Sequence, residues 1–206
     1  MSASGFQIPA AFLEVEEVIK RSRFITWVAH VTDGKQARAL QQRARAEHPD
    51  ASHHCLAFNA GPPGNTRDIG ASDDGEPAGS AGKPMLNVVL GADVGQFAVV
   101  VIRYYGGTKL GVGGLVRAYS GGVKLALEQL QTKPFIPMIQ GQLVAEYGDQ
   151  ANVAHWVGQF DGEIITQSFE QQVSYTLTVP QANCEQFSHQ LAQSSQGRLS
   201  VHWDDQ

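Results

Sequence analysis

The chain has 206 residues, 42% hydrophobic and 17% charged, with a net charge of −5. That length accommodates one large or two small domains, and the composition is that of a folded protein rather than a disordered one. No apolar run approaches the roughly 20 residues a membrane-spanning helix requires, and the overall acidity argues against strong nonspecific nucleic-acid binding by charge alone.

The first residues, Met1 to Ile8, lack a basic region ahead of an apolar core, so no secretory signal is expected. Cys55 and Cys184 lie far apart without metal-ligand or redox spacing, which predicts free thiols and a cytoplasmic location. Alternation and helical periodicity then predict strands at 11–18 and 23–30, a helix at 35–47, and strands at 52–59 and near 67–71. A helix near 81–90, an apolar strand at 97–103 and a helix at 113–131 follow. Because several strands precede the helices, the expected first domain is a mixed sheet with helices on one face.

Pro134 and Pro137 cannot continue the long helix, and the charge balance changes at the same place. Through Lys133 there are 14 Lys and Arg against 12 Asp and Glu; beyond it there are one Arg and 8 acids. A domain boundary is expected there, giving domains 1–133 and 134–206. The second predicts strand 139–147, helix 150–160, strands 162–167 and 171–179, helix 181–193 and strand 198–203, the βαββαβ order of a ferredoxin-like sandwich.

The segment between the apolar strand and the long helix carries five glycines, two tyrosines and three cations over residues 103–117. Gly113 and Gly114 fall at the helix start, where unpaired N–H groups and the positive end of the helix dipole favour an anion. Arg103, Lys109 and Arg117 supply positive charge, Tyr104 and Tyr105 supply rings for stacking, and Gly106 and Gly107 permit close backbone approach. The plainer interpretation is that the glycines only let strand and helix turn sharply. Nucleotide signatures fail here: 111–116 lacks the last glycine of the dinucleotide motif, and Gly82-Lys83 is followed by Pro84 where a P-loop needs Ser or Thr.

A second polar segment gathers Asp73, Asp74 and Glu76 ahead of Lys83, which sits just inside a helix start. Such carboxylates can hold a hard cation or take a proton; equally, the stretch can be a polar turn whose helix is capped by Ser80 and nearby groups. His53 and Cys55 face one side of their strand and His54 the other, so one face offers only two metal ligands. No metal and no cofactor are expected; His53 or His54 is expected to hydrogen-bond to backbone.

Four ordered motifs, KRSRF at 20–24, HPDASHHC at 48–55, SDDGEPAGSAGKPM at 72–85 and VIRYYGGTKLGVGGLVRAY at 101–119, resemble those of the IMPACT family in its bacterial branch across nearly the whole chain. The resemblance implies an α+β protein. Its first domain would be a two-layer mixed-sheet domain of the ribosomal-protein and small-molecule-kinase type, with a left-handed βαβ crossover. Its second would be a ferredoxin-like domain similar to modules of elongation factor G. Eukaryotic members regulate translation by competing for a partner of the amino-acid-starvation kinase; bacteria lack that pathway, so the resemblance implies translation regulation only as a theme, and it implies no catalytic residues.

Three functions fit these residues. The foremost is a binding module that contacts RNA, a ribosome or a translation-associated protein through 103–117 and 73–83. The others are a protein-interaction adaptor using the acidic second domain, and an enzyme acting on a phosphorylated small molecule with Asp73, Asp74 or Glu76 as base or metal ligand. No membrane partner is expected.

Overall fold

The computed structural model describes residues 5–204. Two compact units divide the chain after Phe135, within the segment where the helix-breaking prolines cluster.

The first unit, Phe6–Phe135, is built on five strands: β2 (Leu13–Ile19), β3 (Ser22–His30), β4 (His53–Asn59), β5 (Ile69–Ser72) and β6 (Phe97–Tyr104), following the short β1 (Phe6–Pro9). Their order is β2-β3-β6-β4-β5, and every neighbouring pair is antiparallel. Helix α1 (Gly34–Glu47) links β3 to β4, which run parallel to each other with β6 between them. That inserted strand is why the sheet is antiparallel throughout rather than mixed.

β6 occupies the centre because it is apolar on both faces. Phe97, Val99 and Val101 pack toward Met85 and Val89 of α2 (Gly82–Leu90) and Leu115, Tyr119 and Val123 of α3 (Val112–Gln129). Ala98, Val100 and Ile102 pack toward Ala37, Leu40 and Ala44 of α1. Helices therefore cover both faces, making three layers where a two-layer arrangement with helices on one face was expected. A central strand without a polar face leaves no side of the sheet to water. Asp33 caps α1 by accepting the Gln36 N–H at 2.8 Å.

All the elements anticipated above are present, and two more strands join them. β1 pairs antiparallel with β7 (Thr132–Phe135), aligning Gln7 with Pro134 and stacking Phe6 edge-on against Phe135. A proline is tolerated here because the ribbon has only two strands.

The second unit begins at Ile136. It contains β8 (Met138–Ala145), α4 (Gln150–Gln159), β9 (Glu163–Phe169), β10 (Val173–Pro180), α5 (Cys184–Ser194) and β11 (Val201–Trp203). The strand order β11-β8-β10-β9 is that of a ferredoxin-like βαββαβ sandwich. Leu143, Val173, Leu177, Val179, Val153, Phe187 and Leu191 form its core beneath the two helices. The opposite face of the central strands carries Gln140, Gln142 and Val144 beside Thr178, Thr176 and Ser174.

Candidate functional site

The Gly-rich loop leaves β6 at Tyr104, and successive side chains take different directions because strand residues alternate. Arg103 lies on the α2/α3 side and is buried. Its Nη1 donates to Glu76 Oε1 at 2.6 Å, and its guanidinium lies between the rings of Phe24 and Tyr105, at 5.5 and 5.6 Å. Tyr104 turns toward α1, where its hydroxyl meets His48 Nδ1 at 2.9 Å and Arg23 sits over its ring. Tyr105, beyond the strand, is 49% exposed.

Gly106 passes so close to the β2–β3 turn that a Cβ would overlap the Arg21 carbonyl. Lys20 and Arg21 both have positive φ in that two-residue turn, the geometry of a tight hairpin. The loop ends at Gly111, whose φ of 74° starts α3 without a side-chain cap. No acidic residue lies in the first turn, so the N–H groups of Val112, Gly113 and Gly114 keep the partial positive charge of the helix end.

These features enclose an open cavity of about 460 Å³. Arg103, Tyr105 and Lys109 form its polar wall, and Pro77, Leu110, Val112 and Leu115 its apolar one. Lys109 is exposed and belongs to none of the ion pairs among the described residues.

Of the acidic segment only Pro77 lines this cavity, while Glu76 lies behind the wall against Arg103. Glu76 is buried and accepts from Tyr119 Oη at 2.7 Å as well as from Arg103; His53 Nε2 lies 3.7 Å away. Asp73 instead caps α2 from nine residues upstream, accepting the N–H groups of Gly79, Ala81 and Gly82 at 2.8, 3.0 and 2.8 Å. Burial opposes its ionisation, but the three backbone donors outweigh that and hold its pKa below the usual carboxylate value. Ser80, the expected cap, is buried with its hydroxyl unpartnered, because Asp73 already occupies the helix start.

Asp74 accepts the His54 N–H at 2.6 Å and pairs with Arg45. Those contacts lower its pKa against the opposing effect of burial. His53 and His54 hydrogen-bond to the backbone carbonyls of Asp74 and His48, at 2.9 and 3.0 Å. Cys55 donates to the Asp73 carbonyl, and burial pushes its thiol up to about 12. Among the described residues no group of three or more His, Cys, Asp or Glu could hold a metal ion.

Arg103, Tyr105, Lys109 and the helix start thus meet at one cavity, with Glu76 supporting Arg103 from below. Tyr104 faces away, Asp73 and Asp74 shape the loop, and Lys83 is exposed on α2. Arg117 lies one turn along α3, its Nε donating to the Gly113 carbonyl at 3.2 Å, on the wall of a second cavity. Sequence reading misses the support given by Tyr119, whose helical spacing reads only as core.

The Impact N-terminal domain family matches residues 20–127, and a domain of unknown function, DUF1949, matches residues 143–198. The chain is 47% identical over 194 residues to the IMPACT family member YigZ of Escherichia coli, covering 94% of this chain and 95% of that one. It is 40% identical to an IMPACT family member of Haemophilus influenzae, covering 95% of each chain, and 31% identical to YvyE of Bacillus subtilis, covering 91% of this chain and 86% of that one. A solved structure described as a hypothetical protein shares 45% identity over the full length of both chains, with a TM-score of 0.73. Among the described residues no helix is long and apolar enough to cross a membrane.

Proposed function

The chain belongs to the IMPACT family, and from that premise we propose that it is a non-catalytic binding module that holds single-stranded RNA in a translation-linked, cytoplasmic role. The observation that carries this reading is the convergence of Lys109, exposed Tyr105 and the uncapped start of α3 on one cavity with an apolar wall. Single-stranded nucleic acid asks for that combination, a positive contact for phosphate beside a ring on which a base can stack.

The second unit fits a different task. RNA-binding sheets of the βαββαβ type present aromatic side chains on their open central strands, whereas Gln142, Val144, Ser174 and Thr176 stand there in this chain. With one Arg against 8 acids beyond Lys133, that unit also offers few counterion-releasing contacts.

A protein-interaction adaptor is the second reading, favoured by the stacked pair Tyr147 and Phe169, which are 48% and 57% exposed. An enzyme would need a free base or metal ligand at the cavity, and Asp73, Asp74 and Glu76 are each committed to internal partners.

Fluorescence anisotropy of a labelled uridine-rich single strand with the full chain tests the RNA reading, at about 50 and about 200 mM salt. Saturable binding that weakens with salt and with Lys109→Ala is expected. Absence of saturable binding, or binding unchanged by Lys109→Ala, overturns it.

A further inference from the structure

A second cavity, of about 340 Å³, lies on the other side of the α3 start, and Leu110 forms part of the wall of both. Lys20 and Arg117 stand at its rim and Ile19 and Ala118 line its apolar part, while Gly114 and Gly121 leave the helix surface bare. Both cations are exposed, and neither takes part in an ion pair among the described residues. The tight hairpin turn that presses the Arg21 carbonyl against Gly106 also holds the backbone of Lys20 in place.

Glu17 is the acid on this wall. Its Oε1 is buried without a hydrogen-bond partner, and burial raises its pKa. The arrangement repeats that of the first cavity: exposed positive charge beside an apolar surface, with the first turns of α3 as the ridge between.

We propose that the two cavities are successive subsites of one track, and that a single RNA strand crosses Leu110 from the Lys109–Tyr105 cavity to the Lys20–Arg117 cavity. This rests on the RNA reading and extends it. Charge complementarity selects the occupant: cations on both sides of an apolar divider match a chain that alternates phosphate with a flat, largely apolar base. An acidic peptide supplies the charge without the flat groups.

Two variants of the full chain test the track, with tetrauridylate as probe. Lys20→Ala combined with Arg117→Ala removes two phosphate contacts. Gly121→Leu fills the second cavity; a Cβ at Gly121 meets nothing within 4 Å, and replacing a mid-helix glycine favours the helix, so the fold is retained. The double variant is expected to flatten the slope of log affinity against log salt by about 1.4, at about 0.7 for each lost single-strand contact. Gly121→Leu is expected to weaken binding about tenfold, as loss of one base's apolar burial against Ile19, Leu110 and Ala118 does, without lowering the unfolding midpoint. If the unaltered chain binds tetrauridylate and both variants bind it equally well, the track is wrong while the RNA reading stands. No saturable binding by the unaltered chain overturns both. Tetraglutamate binding as tightly as tetrauridylate, with the same response to the variants, replaces RNA with an acidic peptide as the occupant.

Discussion

Arg103 Nη1 donates to Glu76 Oε1 at 2.6 Å, with the two side chains only 6% and 3% exposed. The pair ties the end of the central strand to the loop ahead of α2, and Tyr119 joins it from α3 through the same carboxylate oxygen. A charge removed from water in this way is tolerated only while its partner and hydrogen bonds remain. The pair therefore fixes where Pro77 and the Arg103 side chain stand on the cavity wall.

Removing one member should cost far more than removing both. Glu76→Ala strands a buried guanidinium and is expected to destabilise the chain by about 3–5 kcal/mol, whereas Glu76→Leu with Arg103→Met should recover much of that loss. Urea unfolding midpoints check it; a double variant no more stable than Glu76→Ala would contradict it.

Asp73 makes stability sensitive to acid. Its folded pKa is depressed, so its contribution is fully present above the unfolded value of about 3.9 and is lost as pH falls through the folded value. Asp73→Asn keeps the side-chain size and removes the charge that three N–H groups address, at an expected cost near pH 7 of about 2 kcal/mol after allowing for partial exposure. Thermal unfolding compared between pH 7 and about pH 3 should show the gap between unaltered chain and variant narrowing at the lower pH.

Thiol reactivity should separate the two cysteines. Burial raises the Cys55 thiol to about 12, and it is fully enclosed, whereas Cys184 is partly exposed. A thiolate-selective reagent at pH 8 is expected to label Cys184 in the folded chain and Cys55 only after denaturant is added. Mass spectrometry of the labelled peptides reads the result, and rapid native labelling of Cys55 would refute the enclosed geometry.

The neighbouring tyrosines should behave oppositely. Tyr105→Ala is expected to weaken RNA binding by about 1–3 kcal/mol and to leave the unfolding midpoint nearly unchanged. Tyr104→Ala loses the contact with His48 and the packing toward α1, and should cost about 2 kcal/mol of stability. Anisotropy and urea unfolding on the same two variants distinguish them; equal effects of both on either measurement would remove the assigned roles.

The order of elements was legible in the sequence because periodicity and proline placement are local properties. The apolar run at 97–102 marks a strand buried on both faces, the spacing of Leu115, Tyr119 and Val123 marks α3, and the βαββαβ order follows from alternating patterns and short turns. The motifs also singled out residues 103–117 as the candidate site. Tertiary structure alone decided what those residues meet. Pairing of β1 with β7 joins segments more than 120 residues apart, and the insertion of β6 between β3 and β4 makes the sheet antiparallel. The division of labour among Asp73, Asp74 and Glu76 is likewise invisible in a run of neighbouring acids. Each turns toward a different long-range donor, and Glu76 reaches Arg103 and Tyr119 at 27 and 43 residues along the chain. Hydrogen bonds of that span depend on where folded elements come to rest in space, and composition and spacing carry no record of it.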